Sequence, residues 1–393
     1  MKLIHTSDWH LGHQLYGYDR TEEFLHFFRR LDEIIKRESP DALLVSGDIF
    51  DVSAPSAGVS KMFKDRLLML QSSFPPMTII VTSGNHDSAS RIDVDRNLWK
   101  STGIHVIGTV SREEGKYDFS ENIIKVSDKG YVAAIPFVNR AFMPRESDEE
   151  SPEKSFFRGV ERTMDKVNKE HRPCVLMAHL PVMGCDREGH REAVIGGEDS
   201  MSADVFGETF SYIALGHIHK PQKISDRMYY SGSPVAISFD ESYSHSVNIV
   251  ELKEGSIPLI RREEIPPLRE LVTFPKEGVE FKKALKLLGK LPDNDTSYIR
   301  LNVRQEEDLP YGCMEMAVEK VSGKKCRYCS IKYEKITETP RSGVVPMLSA
   351  GELLASTPRE IAAVYFASLG IPEELSERYQ SMIADIESEL DVM

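Results

Sequence analysis

The sequence predicts an α/β fold followed by a small α+β region and a helical tail. Short β-rich apolar runs alternate with helix-spaced segments through the first half of the chain, the rhythm of βαβ units. A double proline, Pro266 and Pro267, interrupts regular structure, and a different pattern begins after it. From residue 349 onward the chain is helical in pattern and acidic. These breaks set boundaries of 1–266, 267–338, 339–348 and 349–393, the third being a linker around "TPRSGVVP".

In order, "KLIHTSD", "ALLVSGDIF", "TIIVTSGN", "IHVIG" and "YVAAIPF" read as strands, with helices over about 20–38, 57–72 and 88–101 between them. A charged helix is expected at 153–171. Then come "CVLMAHLP", "SYIALGHIH", "RMYYSGSP" and "HSVNIVEL", whose close spacing predicts antiparallel pairing. Past the prolines, "FKKALKLLGK" reads as an amphipathic helix, and "SYIRLNV" and "CSIKYEKI" as strands.

The chain has 393 residues, 40% of them hydrophobic and 28% charged, enough for a large globular core with appendages. No apolar stretch reaches membrane-span length, and "MKLIHTSDWH" lacks the apolar core of a signal peptide, so a cytoplasmic location is expected. Five cysteines, few and odd in number, argue against a disulfide framework. Cys326 and Cys329 form a C-x-x-C with only Cys313 nearby, and are expected to be reduced thiols. A net charge of -13 opposes nucleic-acid binding unless bound cations supply the positive charge.

Polar residues gather where strands end. Asp8 and His10 follow the first strand, Asp48 and Asp51 the second, and Asn85, His86 and Asp87 the third; His179 ends a later strand, and His217 and His219 the next. In α/β sheets the C-terminal strand edge is where ligands bind. D-x-H and H-x-H put alternate residues on one face of extended chain. Carboxylate, amide oxygen and imidazole without thiolate favour Mn, Fe, Mg or Zn. The set is too large for one open site and suits two ions sharing a carboxylate, which can activate water and clamp a phosphoryl oxygen. His5, His13, His105, His190 and His245 are read as ordinary satisfied polar residues, and Asp87 as a turn-holding carboxylate.

"LIHTSDWHLG", "GDIFD", "SGNHDS", "MAHLPVMG", "ALGHIHKPQ" and "YYSGSPVAISFDE" together resemble the calcineurin-like metallophosphoesterase superfamily, and within it the SbcD family of nuclease subunits, bacterial relatives of the meiotic-recombination nucleases. The resemblance is strong over about residues 1–250. It implies a four-layer α/β/β/α sandwich with a small capping, DNA-binding domain and C-terminal helices. It also implies that Asp8, His10, Asp48 and His219 hold one metal ion, and Asp48, Asn85, His179 and His217 the other, with two Mn2+ (or Mg2+) as cofactors. His86 would be the general acid, with Asp51 orienting it.

The implied partners are DNA and the ATPase SbcC, in a heterotetramer of two subunits of each kind. The chain lacks G-x-x-x-x-G-K-[ST] and is not expected to hydrolyse ATP itself. The helices after 349, with Leu353, Leu354, Ile361, Val364, Tyr365 and Phe366, would dock on the SbcC coiled-coil base. The helices over 57–72 and 88–101, with Met62, Phe63, Leu67, Leu68 and Leu70, would form a homodimer contact or serve as ordinary core. Lys324, Lys325 and Arg327 could track a DNA backbone or be a solvated face. The implied activity is 3′–5′ double-strand exonuclease and single-strand or hairpin endonuclease action in DNA repair, recombination and replication. The rivals are a small-molecule or protein phosphoesterase on the same scaffold, and a non-catalytic scaffold.

Overall fold

The computed structural model describes residues 1–113, 116–144, 151–189 and 200–336, with scattered positions between 357 and 382. The linker, His190 and, of the docking residues, Leu353, Leu354, Ile361, Val364 and Tyr365 lie outside the described residues. The chain divides into two compact units, Met1–Val303 with Pro310–Tyr333, and Arg304–Leu309 with Glu334–Met393. Within the second, Lys335 pairs with Asp308 at 2.7 Å and the Phe366 and Tyr379 ring centroids lie 5.6 Å apart.

The first unit begins with β1 (Lys2–Thr6), α1 (Thr21–Glu38), β2 (Ala42–Ser46), α2 (Ala57–Ser73), β3 (Thr78–Thr82) and β4 (Ile104–Ile107). It continues with β5 (Ile123–Val126), β6 (Gly130–Ala134), α3 (Pro152–Val167), β7 (Cys174–His179), β8 (Tyr212–Gly216), β9 (Gln222–Lys223), β10 (Met228–Tyr230), β11 (Ser246–Glu251) and β12 (Leu259–Glu264). One six-stranded sheet has the order β12-β11-β1-β2-β3-β4 and the other β9-β10-β8-β7-β6-β5.

Period-two alternation assigns each side chain to a core. Leu3, Leu44, Ile80, Val132, Val175, Met177 and Ala214 fill the space between the sheets. Their neighbours Ile4, Leu43, Val45, Ile79 and Val81 face α1 and α2, which supply Phe24, Phe27, Leu31, Phe63 and Leu67. Leu176, Ala178, Ile213 and Leu215 face α3 through Phe156, Phe157, Val160 and Met164. Helix, sheet, sheet, helix is the four-layer sandwich expected. Of the candidate dimer residues, Phe63, Leu67 and Leu70 are core, Met62 packs against it, and Leu68 is exposed.

Two expectations change. β7, β8 and β10 run parallel, not antiparallel. The short link after β8 does not make a hairpin with it; it folds β9 back onto β10 at the sheet edge. Of the four segments expected to pair antiparallel, β10 does so only with β9, and β11 does so with β1 in the other sheet. The single helix expected over 88–101 is two, Ala89–Asp93 and Arg96–Lys100. Asp93 breaks it, because its carboxylate accepts from the Gly108 N–H at 2.7 Å and from the Thr109 hydroxyl.

His5 on β1 is fully buried between the sheets, its Nδ1 2.9 Å from the Tyr212 hydroxyl. Burial pushes its imidazole down to about 3, against an opposing bond to the Leu215 backbone. His5 is therefore neutral in the fold and protonates on unfolding below about 6.5. Its contribution is present above that pH and is lost as pH falls toward 3. Between pH 7 and pH 5 the loss is about 2 kcal/mol. Urea denaturation should show that loss, and it should shrink in His5→Gln; an equal pH dependence in that variant would refute the assignment.

After the prolines, β13 (Leu271–Val279), α4 (Phe281–Leu288), β14 (Tyr298–Gln305), α5 (Cys313–Val321) and β15 (Arg327–Lys335) form a three-stranded sheet, order β13-β14-β15, with two helices. The sequence pattern does not predict β13 or α5. The five cysteines are free thiols, and burial pushes Cys329 up to about 12. Among the described residues no helix is long and apolar enough to cross a membrane.

Candidate metal centre

The strand-end residues singled out in the sequence arrive at one edge. Asp8 and His10 follow β1, Asp48 follows β2, Asn85 and His86 follow β3, His179 ends β7, and His217 and His219 follow β8. Those strands are the parallel centres of the two sheets, so their C-terminal ends open on the same side. Asp8, His10, Asp48 and His217 all adopt positive φ, between 46° and 93°. Such backbone is costly for non-glycine residues and concentrates at functional sites. Two glycines make the approach possible. A Cβ on Gly216 would lie 1.8 Å from the Ser46 carbonyl oxygen, and one on Gly84 would lie 2.1 Å from Asp48 Oδ1.

The donor atoms converge. His179 Nδ1 lies 2.8 Å from the Ser46 carbonyl, an acceptor, so Nδ1 carries a proton and a cation would meet Nε2. That Nε2 faces Asn85 Oδ1 at 2.9 Å and Asp48 Oδ2 at 3.2 Å. His217 Nδ1 reaches the same Asn85 oxygen at 3.0 Å, and its N–H donates to Asp8 Oδ1 at 2.9 Å. On the other side, His10 Nε2 and His219 Nε2 approach to 3.2 Å, with Asp48 Oδ2 3.8 Å from His10. Donor atoms packed this closely suit a shared proton or a cation among them. Three buried or half-buried groupings have cation-holding geometry: Asp8, His10 and His219; Asp8, Asp48 and His179; and His10, Asp48 and His86. The donor set thus fits divalent cations.

The electrostatics agree. Burial alone would raise Asp48, but His179, His10 and His86 hold it below the ordinary carboxylate range. Burial alone would lower His179, but Asp48 and Asp8 hold it up at about 9. A field that strengthens proton binding to an imidazole equally favours a cation there.

Residues 1–221 match the calcineurin-like phosphoesterase family. The chain is 33% identical to the SbcD subunit of the nuclease SbcCD from Rhodobacter capsulatus, over 75% of this chain and 77% of that one. It is 31% identical to the corresponding protein of Bacillus subtilis, over 65% and 67%, and 29% identical to that of Staphylococcus saprophyticus, over 69% and 70%. The chain belongs to the calcineurin-like phosphoesterases, in their SbcD branch.

In this SbcD-family chain Asp87 holds its turn as expected. It accepts from the N–H groups of Gly84, Ile49 and Phe50 at 2.8–3.0 Å, locking the turn after β3 to the one after β2. Burial, with the Asp48 charge added, pushes its carboxyl up to about 7. Glu241 is a supporting group that sequence reasoning missed. It is buried with Oε1 3.7 Å from His219 Nδ1 and Oε2 3.3 Å from His245 Nε2, so a carboxylate stands behind a candidate ligand. Its only sequence signal is its place in the "SFDE" motif. Asp51 meets His86 through its backbone carbonyl, 2.9 Å from His86 Nδ1, and its carboxylate sits 3.6 Å from His10 Nδ1.

None of the basic trio lines the cleft that holds His10, His86 and His219. Lys324 is tied to Asp293 and the Leu291 carbonyl, and Arg327 to the Tyr298 hydroxyl at 2.6 Å and the Asp19 carbonyl at 3.2 Å. Lys325 alone of the three is exposed. Arg327 is thus a strut between the three-stranded sheet and the sandwich, alongside Tyr298, whose hydroxyl donates to Glu23 at 2.8 Å.

Proposed function

We propose that the chain is a divalent-metal-dependent DNA nuclease that hydrolyses phosphodiester bonds. The convergence of lone-pair donors from both sheets, with His86 at the lip of an open cleft of about 530 Å³, carries the reading. The nuclease subunits among its relatives supply the substrate class. Asp8, His10, Asp48 and His219 would hold one ion and Asp48, Asn85, His179 and His217 the other. Bound there, Mn2+ or Mg2+ would offset the phosphate charge and make water nucleophilic at neutral pH.

The protein's own groups do the rest. With Nδ1 engaged by the Asp51 carbonyl, His86 exchanges a proton through Nε2 and gives it to the leaving sugar oxygen. The Ser46 carbonyl and Glu241 fix the His179 and His219 rings, so their orientation does not have to be found during the reaction.

In this reading residues 1–266 are the nuclease domain and 267–338 the cap. The helices after 349 meet the SbcC coiled-coil base, two copies of the chain pair through their nuclease domains, and ATP on SbcC governs access of duplex ends or hairpins. The test is digestion of end-labelled duplex DNA against hydrolysis of an aryl phosphodiester in Mn2+, with and without SbcC and ATP. Preference for DNA, strengthened by SbcC and ATP, is expected. Turnover of the aryl ester with DNA left intact under every condition would favour the small-molecule phosphoesterase.

A further inference from the structure

Tyr16 stands at the tip of a two-residue hairpin in which Gln14 pairs with Asp19 and Leu15 with Tyr18. Both tip residues are left-handed, Tyr16 at φ 51° and Gly17 at φ 82°. Such a tip favours Asn or Gly at its first position, since a bulky L side chain at positive φ crowds its own backbone. A tyrosine gains little there from packing, for it is 49% exposed. A strained, exposed aromatic residue at a cleft is a reason to look for a ligand.

The surroundings hold it firmly. Leu15 is buried with Tyr298 and Cys329, and the Tyr18 hydroxyl donates to the Tyr328 carbonyl at 3.1 Å. The Tyr16 ring meets Phe239 edge-on, centroids 6.0 Å apart. Phe239 is fixed in turn by Arg300, whose guanidinium lies 5.1 Å from the ring centroid and donates to the Phe239 carbonyl at 3.2 Å and to Asp240 at 2.6 Å. Tyr16 and Phe239 line the same cleft as His10, Asp51, His86 and His219. Among the described residues lining it, none is Lys or Arg. Stacking on Tyr16 is therefore a means of orienting a strand whose phosphate lies at the Asp and His cluster.

We propose that Tyr16, backed by Phe239, is a stacking platform for an unpaired nucleobase next to the phosphate being cut. The proposal rests on the nuclease reading and narrows it. A base inside a duplex has its faces covered, so the platform selects single strands, frayed ends and hairpin loops. Aromatic faces accept any base, so the selection is for strandedness and not for sequence.

The experiment compares two short single strands in Mn2+, an oligothymidine and an all-abasic strand of the same length, as substrates of the full-length protein. Wild type should favour oligothymidine by about tenfold or more in kcat/KM, mostly through KM. Tyr16→Asn, which suits positive φ, should bring the ratio near one, and Tyr16→Phe should keep the wild-type ratio. A wild-type ratio of one, or an unchanged ratio in Tyr16→Asn, overturns the platform while leaving the nuclease reading intact. Failure of wild type to cut either strand, both alone and with SbcC and ATP, overturns both.

Discussion

Asp48→Ala is expected to abolish phosphodiester hydrolysis and to remove bound metal at the same time. Its carboxylate faces imidazoles from both halves of the site. Its Oδ2 lies 3.2 Å from His179 Nε2 and 3.8 Å from His10 Nε2, and its Oδ1 accepts the His86 N–H at 3.0 Å. The alanine would leave imidazoles from both sheets facing one another without the anion between them, and would free the backbone that sets His86. The rate should fall by at least about 10³-fold, about 4 kcal/mol at 1.36 kcal/mol per decade. Asp48→Asn separates charge from shape, because the amide oxygen can still accept from His86. It should fold like wild type, by thermal denaturation, and still lose Mn2+ on gel filtration with elemental analysis. Full metal content and full rate in Asp48→Asn would show that Asp48 does not bridge.

The site is far more legible in the sequence than the topology that carries it. D-x-H, G-D-x-x-D, G-N-H-D and H-x-H each sit one turn beyond a β-rich run, and a side chain's distance from a strand end is a local property that sequence encodes directly. Strand direction is not local. The spacing of β7, β8 and β10 suggests antiparallel pairing, but the segment after β8 spends its length on β9 at the sheet edge. Backbone roles are equally hidden. Asp51 is picked out by its carboxylate, but its backbone carbonyl also holds His86, a contact that any residue could supply. Glu241 lies only four residues from His245, but its approach to His219 arises through tertiary packing that no spacing announces. Lys324 and Arg327 look like free charge in "GKKCRYC" but are spent on internal contacts with Asp293 and Tyr298. In the proposed reading, cations held by the Asp and His cluster at the strand ends would supply counter-charge for a phosphate on a chain whose net charge is -13.

His86→Ala should separate chemistry from metal binding, the reverse of Asp48→Ala. His86 is held by the Asp51 carbonyl at Nδ1 and by its own N–H on Asp48, and its ring stacks edge-on to His10 with centroids 4.9 Å apart. Its ring is also within reach of a cation-holding group with His10 and Asp48, so two roles compete: ligand and acid. The alanine variant decides between them. An acid is needed in proportion to the basicity of the leaving oxygen. A deoxyribose alkoxide needs a proton, and a nitrophenolate hardly does. If His86 is the acid, kcat on DNA should fall by about 10²–10⁴-fold while hydrolysis of bis-p-nitrophenyl phosphate falls far less and Mn2+ content stays at the wild-type level. If His86 is a ligand, both substrates should suffer alike and metal should be lost with them. Asp51→Ala provides the control, because the residue keeps its carbonyl: it should preserve the wild-type ratio between the two substrates, whatever it does to His10.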